Sequence, residues 1–196
     1  MMEEKKGGTS AGGVVLPFLL GFVAALAFGW WGVPQLLFSK KTQPLVFTHQ
    51  NHIELYGMSC DDCHSFRRDG SFSGLPDNAK CAECHSFPMG DHPDEIKFVE
   101  EYYEKGIEVP WLVYQYQPDN VFFSHAAHRE YDCATAGCHP DVGSSNELPV
   151  YYENRLTKYS RDTMKMKDCE RCHATVAAQE PERFAGAPNA CQTCHK

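Results

Sequence analysis

Cys60-Asp-Asp-Cys63-His64, Cys81-Ala-Glu-Cys84-His85, Cys133-Ala-Thr-Ala-Gly-Cys138-His139, Cys169-Glu-Arg-Cys172-His173 and Cys191-Gln-Thr-Cys194-His195 together use every cysteine of the 196-residue chain. Each cysteine pair is followed at once by a histidine. Cys-x-x-Cys-His is the attachment signature of c-type haem: two thiols add to the vinyl groups, and the adjacent imidazole lies beneath the iron. The motifs predict five covalent c-type haems, with His64, His85, His139, His173 and His195 as proximal iron ligands. The third motif has four residues between its cysteines instead of two.

Paired cysteines also make disulfides in exported proteins, and Cys-x-x-Cys also binds structural zinc. Neither alternative explains a histidine after every second cysteine. Haem attachment also answers a question of size. Residues 42–196 leave about 31 residues to each haem, too few to bury that many separate hydrophobic cores. The stretch is rich in Gly, Pro and polar residues, so the porphyrins are expected to form most of the core. An apoprotein of this composition is expected to be largely unfolded.

Val14 to Phe38 is almost uninterrupted apolar sequence, preceded by Glu3, Glu4, Lys5 and Lys6 and followed by Lys40 and Lys41. At about 1.5 Å per residue it spans a hydrocarbon core of about 30 Å with some tilt. Trp30 and Trp31 suit the interfacial belt. Ala25-Leu26-Ala27 resembles a signal-peptide cleavage site, but the apolar run continues for eleven residues beyond it, which favours an uncleaved anchor. Two lysines on each side leave the orientation open. Covalent haem attachment decides it, because that maturation occurs outside the cytoplasmic membrane. The expected layout is a cytoplasmic tail (1–13), a single-pass anchor (14–38) in the cytoplasmic membrane, and a periplasmic haem region.

Within that region Phe47-Thr48-His49-Gln50-Asn51-His52 and Phe123-Ser124-His125-Ala126-Ala127-His128 form an internal repeat 76 residues apart, each leading into a haem motif. The repeat suggests a two-haem module (45–105), a linker (106–118) and a three-haem module (119–196). From His92-Pro93 to Lys105-Gly106 the pattern predicts a capped helix with Ile96, Val99 and Tyr103 near one face. The linker's Trp111, Leu112, Tyr114 and Tyr116 could dock a partner. Packing on their own core is the preferred reading.

Five histidines remain beyond the motifs: His49, His52, His92, His125 and His128. One spare imidazole per haem fits irons with both axial positions filled, as in electron transfer without a catalytic site. Here the chain resembles the class III cytochrome family, the cytochrome c3 and c7 group, through its Phe-x-His-x-x-His elements. The wider third motif is a known variant among low-potential multihaem cytochromes. The resemblance implies a mostly irregular and α-helical, haem-dominated fold. It places His49 over the haem of Cys60 and Cys63, His125 over that of Cys133 and Cys138, and His128 over that of Cys191 and Cys194. His52 and His92 are left for the second and fourth haems. Ser65 and Pro140 stand where the family usually has a further histidine, so Met164 or Met166 is an alternative distal ligand for the fourth haem.

The motif order, the single N-terminal helix and the Met164-Lys-Met-Lys-Asp-Cys169 approach to the fourth motif are similar to the multihaem subunits of Qrc-type menaquinone reductase complexes of sulfate reducers. That family is related to the pentahaem subunit of alternative complex III. The resemblance implies a membrane-bound electron-transfer subunit, with no catalytic site of its own. Its expected partners are molybdopterin-type, iron-sulfur and integral-membrane subunits and a soluble cytochrome c3; no nucleic acid is expected. It also raises a sixth haem, which no cysteine pair remains to attach. The net charge of −8 suits a lysine-rich donor. The alternatives are a stand-alone quinol dehydrogenase feeding a periplasmic reductase, and an alternative complex III subunit running in the oxidising direction.

Overall fold

A computed structural model describes residues 11–131, 133, 137–182 and 189–195. Most of the expected cytoplasmic tail, and positions 134–136 inside the third motif, lie outside the described residues.

The apolar segment is one long helix in three parts: α1 (Ala11–Ala27), a π turn over Phe28–Gly32, and α2 (Val33–Leu37). The π turn has a local cause. Pro34 has no N–H to donate, and the Val33 N–H reaches back five residues to the Phe28 carbonyl. The Phe28 ring lies where a Cβ on Gly32 would stand, at 2.7 Å. Gly13–Leu37 is long and apolar enough to cross a membrane. Trp30 and Trp31 are exposed near its C-terminal end.

Phe38 does not continue the helix but opens β1 (Phe38–Lys41), which pairs antiparallel with β2 (Tyr151–Asn154), Phe38 opposite Asn154 and Lys41 opposite Tyr151. This pairing fastens the chain leaving the apolar helix to a segment more than a hundred residues away. The Arg155 N–H extends it by donating to the Leu37 carbonyl at 2.8 Å. Arg161 lies over the Tyr152 ring at 4.0 Å.

Short helices carry the remaining motifs: α3 (His49–Tyr56), α4 (Cys60–Cys63), α5 (Asn78–His85), α6 (Pro93–Lys97), α7 (His125–His128), α8 (Met166–Gln179) and α9 (Cys191–Cys194). The helix expected after His92 forms as α6 and continues as a π turn over Phe98–Tyr103, ending near Gly106 at φ +64°. The π turn changes its inner face. Phe98 and Val99 are buried and Tyr102 packs beside them, whereas Tyr103 stacks on Phe98 at 6.2 Å from the outside.

Leu45, Phe98, Val99 and Val109 form a small cluster joined by Cys81, Tyr102 and Trp111. The linker aromatics serve their own chain. Trp111 meets Phe47 edge-on at 6.3 Å, Tyr114 meets Tyr151 at 5.4 Å, and the Tyr114 hydroxyl donates to the Pro149 carbonyl at 2.6 Å. Gln43 exchanges two hydrogen bonds with the Leu112 backbone, and Gln115 links the Asp162 carbonyl to the Met164 N–H. Among the described residues the polypeptide buries few apolar side chains.

Candidate functional site

In four of the motifs the two cysteines lie three apart on a helical turn, which turns both thiols to one side. Acidic and hydroxyl caps fix where those turns begin. Asp62 accepts from the Ser59 N–H at 2.7 Å at the start of α4, and Asp77 accepts from the Lys80 N–H at 2.9 Å on α5. The Lys165 N–H donates to Asp168 at 3.0 Å ahead of Cys169 on α8. Each motif then ends the same way. The His64 N–H donates to the Cys60 carbonyl at 2.8 Å, and the His195 N–H to the Cys191 carbonyl at 2.9 Å.

The wider third motif closes with the same bond, from the His139 N–H to the Cys133 carbonyl at 3.3 Å. Gly137, at φ +75°, takes up a left-handed conformation within the longer loop. Two additional residues therefore leave the first cysteine and the histidine in the relation the shorter motifs have. None of the ten cysteines is in a disulfide. Burial, then the neighbouring Cys63, pushes the Cys81 thiol up to about 11, and burial likewise raises Cys63, Cys138 and Cys169.

The two Phe-x-His-x-x-His segments adopt one geometry. Phe47 stacks on His52 at 4.5 Å and meets His49 edge-on at 4.7 Å; Phe123 stacks on His128 at 4.6 Å and meets His125 edge-on at 4.8 Å. Nδ1 of His52 lies 2.9 Å from the Thr48 carbonyl, and Nδ1 of His128 lies 2.8 Å from the Ser124 carbonyl. A carbonyl can only accept, so both rings carry their proton on Nδ1 and leave Nε2 as a neutral donor for a metal.

Each of these rings faces a motif histidine. His52 and His85 have ring centres 6.1 Å apart, and so have His128 and His173. Two metal–nitrogen bonds of about 2 Å, plus roughly 1 Å from each nitrogen to its ring centre, give about 6 Å between imidazoles on opposite sides of one metal ion. The spacing therefore fits an iron between each pair. The expected partner of His128 was the fifth motif, but its ring lies against His173 of the fourth. Met166 is exposed at the start of α8, and the Met164 N–H is held by Gln115.

Burial first, then the nearby rings of His64 and His52, pushes His49 down to about 4. His125 is lowered by burial and then by His139, His128 and His64. His49 thus lies beside the first motif and His125 beside the third. Phe72, which the sequence reading missed, connects them: its ring stacks on His125 at 4.2 Å and lies 6.1 Å from His64. The Arg129–Asp61 ion pair at 3.5 Å joins the same two regions. Phe72 belongs to no periodic pattern, so no local signal could have found it.

His195 sets its Nδ1 3.1 Å from the Asn120 carbonyl. His92 is exposed at the start of α6, its Nδ1 accepting from the Asp94 N–H at 3.3 Å. The His85 Nδ1 lies 2.8 Å from Glu95 Oε1, which also accepts from the Met89 N–H at 3.1 Å.

No protein-family model matches the chain. The chain is 50% identical over 204 aligned residues, covering 99% of this chain and 96% of the relative, to the menaquinone reductase, multiheme cytochrome c subunit, of Nitratidesulfovibrio vulgaris.

Proposed function

From the premise that the chain belongs to the family of multihaem cytochrome c subunits of menaquinone reductases, we propose that it relays electrons from a soluble periplasmic cytochrome c3 towards menaquinone. It does so as a single-pass subunit of a larger complex, with its haem region in the periplasm. Iron-sulfur, molybdopterin-type and integral-membrane subunits are its partners, and anaerobic respiration on sulfate is the setting. The observation that carries this reading is the repeated pairing of a Phe-x-His-x-x-His imidazole with a motif histidine at 6.1 Å.

Bound haem supplies reversible one-electron exchange between ferric and ferrous iron. The chain's own residues attach and orient it. The ten cysteines hold five c-type haems, and His64, His85, His139, His173 and His195 are the proximal ligands. His49, His52, His125 and His128 oppose His64, His85, His139 and His173 in that order, whereas His92 lies beside Glu95 at the second site with its Nδ1 accepting an N–H, and is not assigned to the fifth iron. With both positions filled at the first four irons, those centres offer no open position for substrate, which supports transfer rather than catalysis.

Neighbour relations suggest the order of the wire. Cys63 lies close enough to Cys81 for its charge to raise that thiol, which pairs the first and second sites. Cys138 and Cys172 relate the third site to the fourth, and Cys169 and Cys194 the fourth to the fifth. Phe72 spans the first and third. The sites then run second, first, third, fourth, fifth, with the two-haem and three-haem modules meeting at Phe72.

A pyridine haemochrome assay with intact mass tests the count on detergent-solubilised protein. Five haems that survive acid-acetone extraction are expected; a sixth, extractable haem would be one held without thioethers, and four would remove the Cys133 site. Purification from native membranes tests the assembly. Recovery of the chain alone, free of iron-sulfur and polytopic subunits, would overturn the complex in favour of a stand-alone cytochrome.

A further inference from the structure

Three of the haem-site imidazoles hydrogen-bond through Nδ1 to neutral backbone carbonyls: His52 to Thr48, His128 to Ser124 and His195 to Asn120. His85 is different, because its Nδ1 meets the Glu95 carboxylate at 2.8 Å. The contact is built rather than incidental. Both side chains are largely shielded, at 28% and 17% exposure, so solvent screens the pair weakly. The Met89 N–H donates to the same carboxylate oxygen at 3.1 Å. Glu95 lies in the first turn of α6, where backbone N–H groups favour an anion. The ammonium of Lys97, the nearest cation along α6, is held elsewhere, donating to the Pro44 carbonyl at 2.9 Å.

A carboxylate that accepts the Nδ1 proton draws it outward and leaves more electron density on Nε2, the nitrogen that faces the iron. Greater ligand basicity and a nearby negative charge both stabilise ferric over ferrous iron. We propose that Glu95 is a potential-setting residue for the second haem, its hydrogen bond to His85 holding that centre's reduction potential below the value a neutral acceptor would give. The inference rests on the reading of Cys81, Cys84 and His85 as a haem site. No covalent step is involved: the same one-electron couple is displaced towards its oxidised form.

The test is a spectroelectrochemical titration of the detergent-solubilised holoprotein and its Glu95→Gln variant, with electron paramagnetic resonance of the ferric state. Gln keeps the side-chain length and an acceptor oxygen but removes the charge. One centre is expected to shift by about tenfold in its reduced-to-oxidised ratio, a rise of about 59 mV for a one-electron couple. One low-spin ferric signal should change with it, while the other centres stay put. Glu95→Asp, which keeps the charge, should move the potential less. Unchanged midpoints in a Glu95→Gln protein with its full haem complement would overturn the proposal and leave the haem reading intact. A missing haem on the Cys81–Cys84 peptide of the wild-type protein would overturn the reading beneath it. The wild-type spectrum decides the matter if the variant does not assemble. It must contain one component with the compressed g-anisotropy of an imidazole of imidazolate character, and a spectrum lacking it sinks the idea.

Discussion

A histidine here is defined by what its second nitrogen does. His52 and His128 occupy equivalent places in two copies of one short motif, and each gives Nδ1 to the carbonyl four residues back. That bond, together with a stacked phenylalanine, leaves each ring one direction in which to offer Nε2. His128→Ala should therefore free one axial position without loss of the haem, whose thioethers are untouched. One equivalent of carbon monoxide more than in the wild type should bind per reduced chain. The same uptake should persist in a protein that also lacks the fifth haem through Cys191→Ser and Cys194→Ser. If removing the fifth haem abolishes it, His128 serves that haem and not the one at Cys169 and Cys172.

At the scale of elements, α5 illustrates how a haem motif is held without a large core. Asn78 is buried at its first turn. Its backbone N–H donates to Glu108, its amide donates to the Ile107 carbonyl at 2.8 Å, and its side-chain oxygen accepts from the Val109 N–H at 3.3 Å. One side chain thus replaces a missing strand partner for residues 107–109. Asn78→Ala would leave the buried Val109 N–H and the partly buried Ile107 carbonyl without their partner, at a cost of about 2 kcal/mol. A lower denaturant midpoint with an unchanged haem count is the expected result; an unchanged midpoint would mean that water takes over both bonds. Sequence periodicity found α6 but not the π turn that extends it. That turn lets Phe98 and Val99, adjacent in sequence, both face inward.

At the scale of the molecule, the apolar helix and the haem region are joined through β1 rather than by a loose tether. An exported protein beginning at Phe38 should be water-soluble and keep the full haem spectrum, since β1 still pairs with β2. One beginning at Thr42 loses the strand and should unfold at lower denaturant concentration; equal stability of the two would show the pairing to be dispensable. Charge also acts at this scale. With a net −8 and ten haem propionates, the proposed reading expects reduction by a lysine-rich soluble cytochrome to slow steeply as salt shortens the screening length to about 10 Å at 0.1 M. A rate indifferent to ionic strength would count against steering by the acidic surface.

The local geometry of the motifs was legible from their residues alone. Cys-x-x-Cys-His and Phe-x-His-x-x-His carry their geometry within six residues, because a helical turn sets the cysteine spacing and an i−4 carbonyl sets the imidazole. The apolar run from Val14 declares itself by length in the same way. What the tertiary structure alone decided were the long-range pairings: His128 with His173, Phe72 between His64 and His125, Glu95 on His85, and β1 on β2. Each joins segments with no common period, and each is selected by which groups the fold packs together, a competition that no local window of sequence contains.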